Sequence, residues 1–185
     1  MTGTRHIALL RAINVGGHTV KMDHLRRLFE ALGYANVETF IASGNVIFDA
    51  PDQAARAIEE QIEGQLRASL GYAVATFIRT PAELAAIAQY QPFPAADLEA
   101  EGNALYIAFM PTTPSDEAQH ALLAARTPTD DFHIHGRELY WLCRTRISDS
   151  VFSGARLERM LGMPSTMRNA TTVRKLAAKY ALRGG

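Results

Sequence analysis

Residues 6–17 have the sequence HIALLRAINVGG, an apolar run that ends in a glycine loop. A short apolar run bounded by turn residues is typical of a buried β-strand. Beyond the loop, apolar residues recur at helical spacing from Met22 to Leu32, and Gly33 follows as a helix stop. This stretch therefore predicts a strand that contains Arg11, then a loop, then a helix.

The rest of the first half continues the alternation of short strands and helices. The predicted elements are strands at 37–41, 46–48 and 72–78, a hairpin turn at 42–45, and a helix through Ile58 and Leu66. Thr80, Pro81 and Glu83 then form a helix-start pattern, with a capping threonine, a proline at the first helical position and a glutamate three residues after the cap. The predicted order is βαββαβ followed by a helix that ends near Gln89.

The stretch 91–103, which holds Pro92, Pro94 and Gly102, interrupts the periodicity and is the predicted linker. The predicted elements after it are strands at 104–110, 132–135, 138–142 and 165–168, and helices at 114–125, 151–161 and 173–180. The second half therefore repeats βαββαβ followed by a helix. We predict an α+β protein in which the halves 1–90 and 104–185 are related by internal duplication.

Two local matches between the halves support the duplication. Arg79 and Arg168 each stand directly before a residue that caps a predicted helix. Gly44 and Gly136 each fall in the predicted hairpin between the second and third strand of a half. The halves are therefore expected to superpose strand for strand.

The composition is that of a globular protein from a reducing compartment. Of the 185 residues, 48% are hydrophobic and 21% are charged, which excludes an intrinsically disordered chain. Cys143 is the sole cysteine, so no internal disulfide can form, and we expect a buried, unreactive thiol. We find no signal-peptide pattern and no apolar run of membrane-spanning length, so we expect a soluble cytoplasmic protein.

The charges are unevenly distributed although the net charge is zero. Residues 49–136 carry 13 acidic and 4 basic side chains, whereas residues 137–185 carry 3 and 10. The basic end could attract an anionic partner or could face the acidic middle of the same chain. Weak nucleic-acid binding is an alternative, because the predicted last helix carries basic residues at i, i+4 and i+8, namely Lys175, Lys179 and Arg183. Zero net charge, however, disfavours a dedicated nucleic-acid-binding protein.

Several polar and glycine residues depart from simple core packing and form the candidate ligand-binding site. They are Arg11, Asn14, Gly16, Gly17, Ser43, Asn45, Arg168 and Asn169. A glycine loop between a strand and a helix can turn backbone N–H groups toward an anion, and a helix N-terminus adds partial positive charge. Structural alternatives exist, such as turn formation by Ser43 and Asn45 and helix capping by Asn169.

Other constellations do not support a specific chemistry. His133 and His135 point to the same side of a predicted strand, but no further ligand has suitable spacing, so we expect no metal site and no cofactor. Ser43 has Ile41 rather than glycine two residues before it, so the pattern of a hydrolase nucleophile is absent. The residues leave open whether the protein is an enzyme.

The signature residues resemble a bacterial family known as domain-of-unknown-function family 1697. The segments that carry the resemblance are 9–17, 21–22, 32–34 and 43–46, together with 168–169, 172–173 and 175–176. The resemblance implies a duplicated ferredoxin-like fold and no established activity. The family usually has glycine in place of Ala12, and tryptophan followed by asparagine in place of Ala170 and Thr171.

These observations lead to one principal hypothesis and two alternatives. The principal hypothesis is that the candidate residues form a pocket for a small anionic metabolite, with phosphate-bearing compounds included. One alternative is nucleic-acid binding through the basic carboxyl-terminal helix. The other is a protein-interaction module without a ligand, in which the signature residues only hold the two halves together.

Overall fold

The computed structural model describes residues 3–14 and 17–181. Its first half has the predicted order of strands and helices, βαββαβ followed by a helix. The elements are β1 (Thr4–Leu10), α1 (Met22–Glu30), β2 (Ala35–Thr39), β3 (Asn45–Ala50), α2 (Ala55–Leu70), β4 (Thr76–Arg79) and α3 (Pro81–Gln89). The capping pattern before α3 is confirmed, because the Thr80 N–H donates to Glu83 Oε2 and the Glu83 N–H donates to Thr80 Oγ1.

The second half also follows the predicted order, with two additional short helices. The elements are α4 (Ala95–Glu99), β5 (Ala104–Phe109), α5 (Asp116–Ala124), β6 (Asp130–His135), β7 (Glu138–Cys143), a 3₁₀ turn (Ile147–Asp149), α6 (Gly154–Leu161), β8 (Thr166–Asn169) and α7 (Ala170–Tyr180). Helix α4 lies within the stretch that we interpret as a linker. No described helix is both long and apolar enough to cross a membrane.

The eight strands form two four-stranded antiparallel sheets with the same strand order. One sheet has the order β2-β3-β1-β4 and the other has the order β6-β7-β5-β8. The chain divides into two compact units, of which the first extends to Leu84 and the second begins at Ala85, within α3. The α+β class is therefore confirmed, and the division at 91–103 stays a prediction.

In the first unit, one face of the sheet carries a hydrophobic core against α1 and α2. Leu10 of β1 and Phe48 of β3 project into this core together with Phe29 of α1 and Ile58 and Ile62 of α2. Ile58 and Ile62 are four positions apart, as are Leu25 and Phe29 of α1, so the buried residues of each helix fall on one face. The apolar spacing seen in the sequence therefore determines which side of each helix packs on the sheet.

In the second unit, a buried carboxylate anchors the edge of the sheet. Asp130 accepts hydrogen bonds from the Trp141 indole N–H at 3.0 Å and from the hydroxyls of Ser150, Thr127 and Thr129 at 2.7, 2.8 and 3.1 Å. Burial raises the pKa of Asp130, but the hydrogen bonds more than offset this and leave the pKa below its ordinary value. Asp130 therefore stays ionised and cross-links β6, β7 and the segment after β7.

Arg79 and Arg168 occupy corresponding positions in the two sheets. Arg79 lies opposite Ile7 of β1, and Arg168 lies opposite Ile107 of β5. Both arginines are buried, and each donates from Nη1 to the carbonyl oxygen of the preceding residue at 2.9 Å. The similar environments explain why an arginine precedes a capping residue in both halves.

The hairpins are less alike than the sheets. The carbonyl of Gly44 accepts from the Leu10 N–H at 2.8 Å, whereas the carbonyl that accepts from the Met110 N–H is that of Arg137 at 2.9 Å. Gly136, with φ of 59°, therefore lies one residue before the position that corresponds to Gly44. Both glycines are in the connection between the second and third strand of their sheet, but only Gly44 makes this contact.

One sequence prediction about the first strand is wrong. Strand β1 ends at Leu10, so Arg11 and Ile13 lie in the loop rather than in the strand. Ala12 has φ of 58°, a left-handed conformation that an extended strand cannot include. The apolar run continues because Ile13 is buried at the base of the loop, and burial alone does not distinguish a strand from a packed loop.

Candidate functional site

The loop between β1 and α1, which we call the first loop and describe at residues 11–14 and 17–20, is closed by Asn14. Oδ1 of Asn14 accepts a hydrogen bond from the Val20 N–H at 2.6 Å, so the side chain ties the first part of the loop to its end. The Arg11 N–H donates to the carbonyl of Ala75 at 2.9 Å, which fixes the start of the loop beside β4. Arg11 itself is half-buried. Gly17 has φ of 85°, and Gly16 lies outside the described residues.

The connection between β2 and β3, which we call the second loop (residues 40–44), is held by the buried Asn45. Nδ2 of Asn45 donates to the carbonyl of Phe40 at 3.0 Å and to Ser43 Oγ at 2.9 Å. The Phe40 N–H donates in turn to the Asn45 carbonyl at 3.0 Å. Because these bonds tie the amide of Asn45 to the loop, its role in the described contacts is that of a scaffold.

The two loops contact each other directly. Nδ2 of Asn14 donates to the carbonyl of Ala42 at 3.0 Å. Gly44 lies against the base of the first loop, where an added Cβ would be 3.1 Å from the Cβ atoms of both Leu10 and Ile13. The structure therefore brings five of the candidate residues together at one end of the first sheet, namely Arg11, Asn14, Gly17, Ser43 and Asn45.

Backbone strain is concentrated in these paired loops. Among the described residues, four other than glycine have positive φ, and three of them are Ala12, Asn14 and Ile41, at 58°, 59° and 50°. This conformation costs an L-residue about 1–2 kcal/mol, and Ile41 is β-branched, which makes it a rare case. Ile41 is also 53% exposed. Strained residues persist where the surrounding structure holds them, and they cluster at binding and catalytic sites.

Arg168 and Asn169 belong to the second unit. Nη1 of Arg168 donates to Thr166 Oγ1 at 2.7 Å, and burial lowers the pKa of the guanidinium to about 10. Asn169 is the N-cap of α7, since its Oδ1 accepts from the Thr171 N–H at 2.8 Å. The capping interpretation of Asn169 is thereby confirmed. The convergence of this pair with the two loops stays a prediction.

Two aromatic residues beside the first loop were not singled out from the sequence. The ring of His18 lies against the ring of Tyr72 in a tilted contact, with centroids 4.0 Å apart and an interplanar angle of 30°. Tyr72 packs against the core of the first unit, whereas His18 is exposed. These residues are 54 positions apart, and nothing in the local pattern around either of them indicates that they meet.

The histidines of β6 do contact a common partner, although it is not a metal. The Tyr90 hydroxyl lies 2.7 Å from His133 Nε2, and the Tyr90 ring stacks on His135 at 4.0 Å. Burial lowers the pKa of His133, as does the neighbouring His135, against a smaller raising effect of Asp131. No group of three metal-ligating side chains occurs within 3–14 and 17–181. Cys143 is buried as expected, and burial raises the pKa of its thiol.

Comparison with known proteins identifies the family but no activity. The chain is similar over 96% of its length to 98% of the conserved bacterial protein SP0830 from Streptococcus pneumoniae, with 23% sequence identity and a TM-score of 0.74, which shows a shared fold. No curated protein sequence matches the chain. A family model described as protein of unknown function, DUF1697, matches residues 3–140, which include both loops but not Arg168. The chain therefore belongs to the DUF1697 family, as its signature residues indicate.

Proposed function

We propose that the protein binds a small anionic metabolite, phosphate esters included, at the paired loops of the first sheet. The observation that carries this proposal is the left-handed conformation of Ala12, Asn14 and Ile41 within two loops that hydrogen-bond to each other. Left-handed residues within a turn can orient successive backbone N–H groups toward one point, which is a common way to bind an anion. The strain of this backbone is then offset by the bound ligand.

The candidate residues have different roles in this proposal. Asn14, Ser43 and Asn45 hold the backbone of the loops in place, because the described hydrogen bonds of their side chains are made within the loops. Arg11 supplies the positive charge, and its half-buried position beside Ala12 limits the directions in which its guanidinium can point. Gly17, which has positive φ, allows the backbone to approach the ligand closely, whereas Gly16 lies outside the described residues.

We further propose that Arg168 and Asn169 complete the site from the second half. Burial lowers the pKa of Arg168, and a bound anion would oppose this lowering by stabilising the charged guanidinium. The amino terminus of α7, which Asn169 caps, adds a partial positive charge. In this arrangement each half of the duplicated fold contributes one arginine.

The fold and location that we propose rest on the same evidence as the sequence hypothesis. Each half has the βαββαβ order that is typical of a ferredoxin-like unit, and the common strand order of the two sheets supports their origin by internal duplication. A cytoplasmic location is supported by the single, buried cysteine. Neither feature specifies a reaction, so binding is the function that we propose.

The test of the proposal measures stabilisation by simple anions. We expect inorganic phosphate, ribose 5-phosphate or citrate to raise the melting temperature in a concentration-dependent manner, since a ligand at 100 times its Kd adds about 2.7 kcal/mol. Arg11→Ala should abolish this effect. Arg5→Ala is the matched control, because Arg5 lies on β1, five residues or about 17 Å before Leu10, the strand end that precedes Arg11. The ion pair of Arg5 with Glu38 is at the surface, and its ion pair with Asp49 is partly buried.

Two results would contradict the proposal. One is the absence of any stabilisation by these anions at millimolar concentration. The other is an equal loss of stabilisation in Arg11→Ala and Arg5→Ala, which would indicate a general effect of charge. An unchanged response in Arg168→Ala would restrict the site to the first unit and remove Arg168 from it.

Weak nucleic-acid binding is the second candidate function, and one observation favours it. Lys175 and Lys179 are both exposed on α7, one turn apart. We expect only weak binding that falls steeply with salt, because each phosphate contact releases counterions. Tight RNA binding at physiological salt that depends on both lysines would make this the leading function. Arg183 lies outside the described residues.

A further inference from the structure

The aromatic pair beside the first loop identifies the class of ligand. We propose that the ligand is a nucleoside monophosphate, whose phosphate binds at the first loop beside Arg11 and whose base stacks on His18. This inference rests on the proposed function, since it assigns the anion site to the phosphate of the ligand. It adds a recognition element for the rest of the molecule, formed by His18 and Tyr72.

The hydrogen bonds of the first loop place the aromatic pair close to the candidate anion site. Val20 donates to Asn14 at 2.6 Å, and His18 is two residues before Val20, so at most about 7 Å of chain separates His18 from this bond. On the other side, Arg11 donates its N–H to Ala75, which follows Tyr72 by three residues. The rings of His18 and Tyr72 therefore lie beside the loop that carries Arg11 and the left-handed residues Ala12 and Asn14.

The geometry of the pair is that of a stacking platform. Tyr72 packs on the core of the first unit, which holds its ring in place. His18 lies on this ring at 4.0 Å, is exposed, and can stack a planar group from the ligand. Aromatic stacking tolerates any base, because every base has a π-face, whereas a simple sugar phosphate offers no aromatic ring to stack.

The buried hydroxyl of Tyr72 allows a substitution that keeps the aromatic ring. This hydroxyl has no hydrogen-bond partner among the described residues, and a buried donor without a partner destabilises a protein. Phenylalanine would avoid this cost while preserving the ring contact. Tyr72→Phe is therefore a variant that keeps the platform, and Tyr72→Ala is one that removes it.

The experiment measures Kd by calorimetry for the full chain with AMP, GMP, CMP, UMP and ribose 5-phosphate. We expect at least one nucleotide to bind about 5-fold or more tightly than ribose 5-phosphate, which is the lower end of what stacking one base contributes. His18→Ala should reduce this ratio to about 1 without changing the affinity for ribose 5-phosphate. His18→Phe and Tyr72→Phe should retain the ratio. His24 is also exposed but lies on α1, outside the first loop, so His24→Ala should leave every affinity unchanged.

The outcomes separate this inference from the proposed function. If ribose 5-phosphate binds but no nucleotide binds more tightly, the stacking inference is overturned and the anion site stands. If none of the five ligands binds but inorganic phosphate or citrate still stabilises the protein, the nucleotide inference is overturned and the anion site stands; if these anions also fail, both are overturned. A nucleotide preference that survives His18→Ala would place the base elsewhere and overturn the platform. If an oligonucleotide binds far more tightly than every mononucleotide, the ligand is a nucleic acid and the proposed class is wrong.

Discussion

Replacing Gly44 with alanine tests whether the contact between the two loops stabilises the first unit. Gly44 has φ of 75°, and the new methyl group would lie 3.1 Å from the Cβ atoms of Leu10 and Ile13 and 3.2 Å from the Leu10 carbonyl oxygen. The left-handed conformation costs alanine about 1–2 kcal/mol, less about 0.4–1 kcal/mol gained by restricting the unfolded chain. Overpacking against these buried neighbours adds about 1–3 kcal/mol. We expect a loss of about 2–4 kcal/mol in the free energy of unfolding.

The hairpin glycine of the second half provides the control. Gly136 also has positive φ, but the nearest atom to an added Cβ is Glu138 Oε2 at 3.7 Å, an ordinary contact. Gly136→Ala should therefore show the conformational cost alone, about 1 kcal/mol or less. The difference between the two variants isolates the packing of the loops.

Urea unfolding followed by two signals can assign the effect to one unit. Circular dichroism follows the helices of both units, whereas fluorescence of the sole tryptophan, Trp141, follows the second unit. If the units unfold separately, Gly44→Ala should shift the transition seen by dichroism and leave the Trp141 transition unchanged. A loss in Gly44→Ala within about 0.5 kcal/mol of that in Gly136→Ala would refute the packing argument, because both would then reflect backbone conformation alone.

Three further predictions concern single residues. Ala12→Gly should raise the free energy of unfolding by about 0.5–1 kcal/mol in urea titrations, because glycine adopts φ of 58° without strain, and a loss of stability would contradict the left-handed assignment. His6 is buried with both ring nitrogens unpaired among the described residues, and burial lowers its pKa below 6.5 against the raising effects of nearby carboxylates. The unfolded chain therefore binds the proton more readily, so the native protein should lose stability as pH falls below about 6.5. Thermal unfolding between pH 7.5 and 5 should show a smaller loss of stability for His6→Leu than for the unsubstituted protein. At pH 7.5 His6→Leu should be more stable by about 1–2 kcal/mol. Asp130→Asn should cost about 2–3 kcal/mol by urea titration, because the amide group brings a donor to a site where four donors converge, and a neutral result would contradict the cross-linking role of Asp130. The lowered pKa of Asp130 implies stability that is present above its ordinary value of 3.8 and is lost as pH falls through the lower folded-state pKa.

The local sequence was sufficient to predict the order of elements in both halves. Helical spacing in α1 and α2, the capping pattern before α3 and the glycine that ends α2 at Gly71 all act within a few residues of each other. Such short-range signals reflect the geometry of one helix or one strand and need no tertiary contact. Strand ends were predicted less well, as the early end of β1 at Leu10 shows, because a buried loop residue such as Ile13 has the same apolar character as a strand residue.

Tertiary structure decided how the candidate residues are used. The sequence identified Asn14, Ser43 and Asn45 as polar exceptions, but only the folded chain shows that their described bonds lie within and between two loops about 30 positions apart. No sequence pattern near these residues indicates the left-handed conformation of Ile41 or the contact between the rings of His18 and Tyr72. Contacts of this kind depend on the strand order of the sheet, which brings the ends of distant strands side by side. Local periodicity describes which face of an element is buried, and it contains no information about which other element lies against that face.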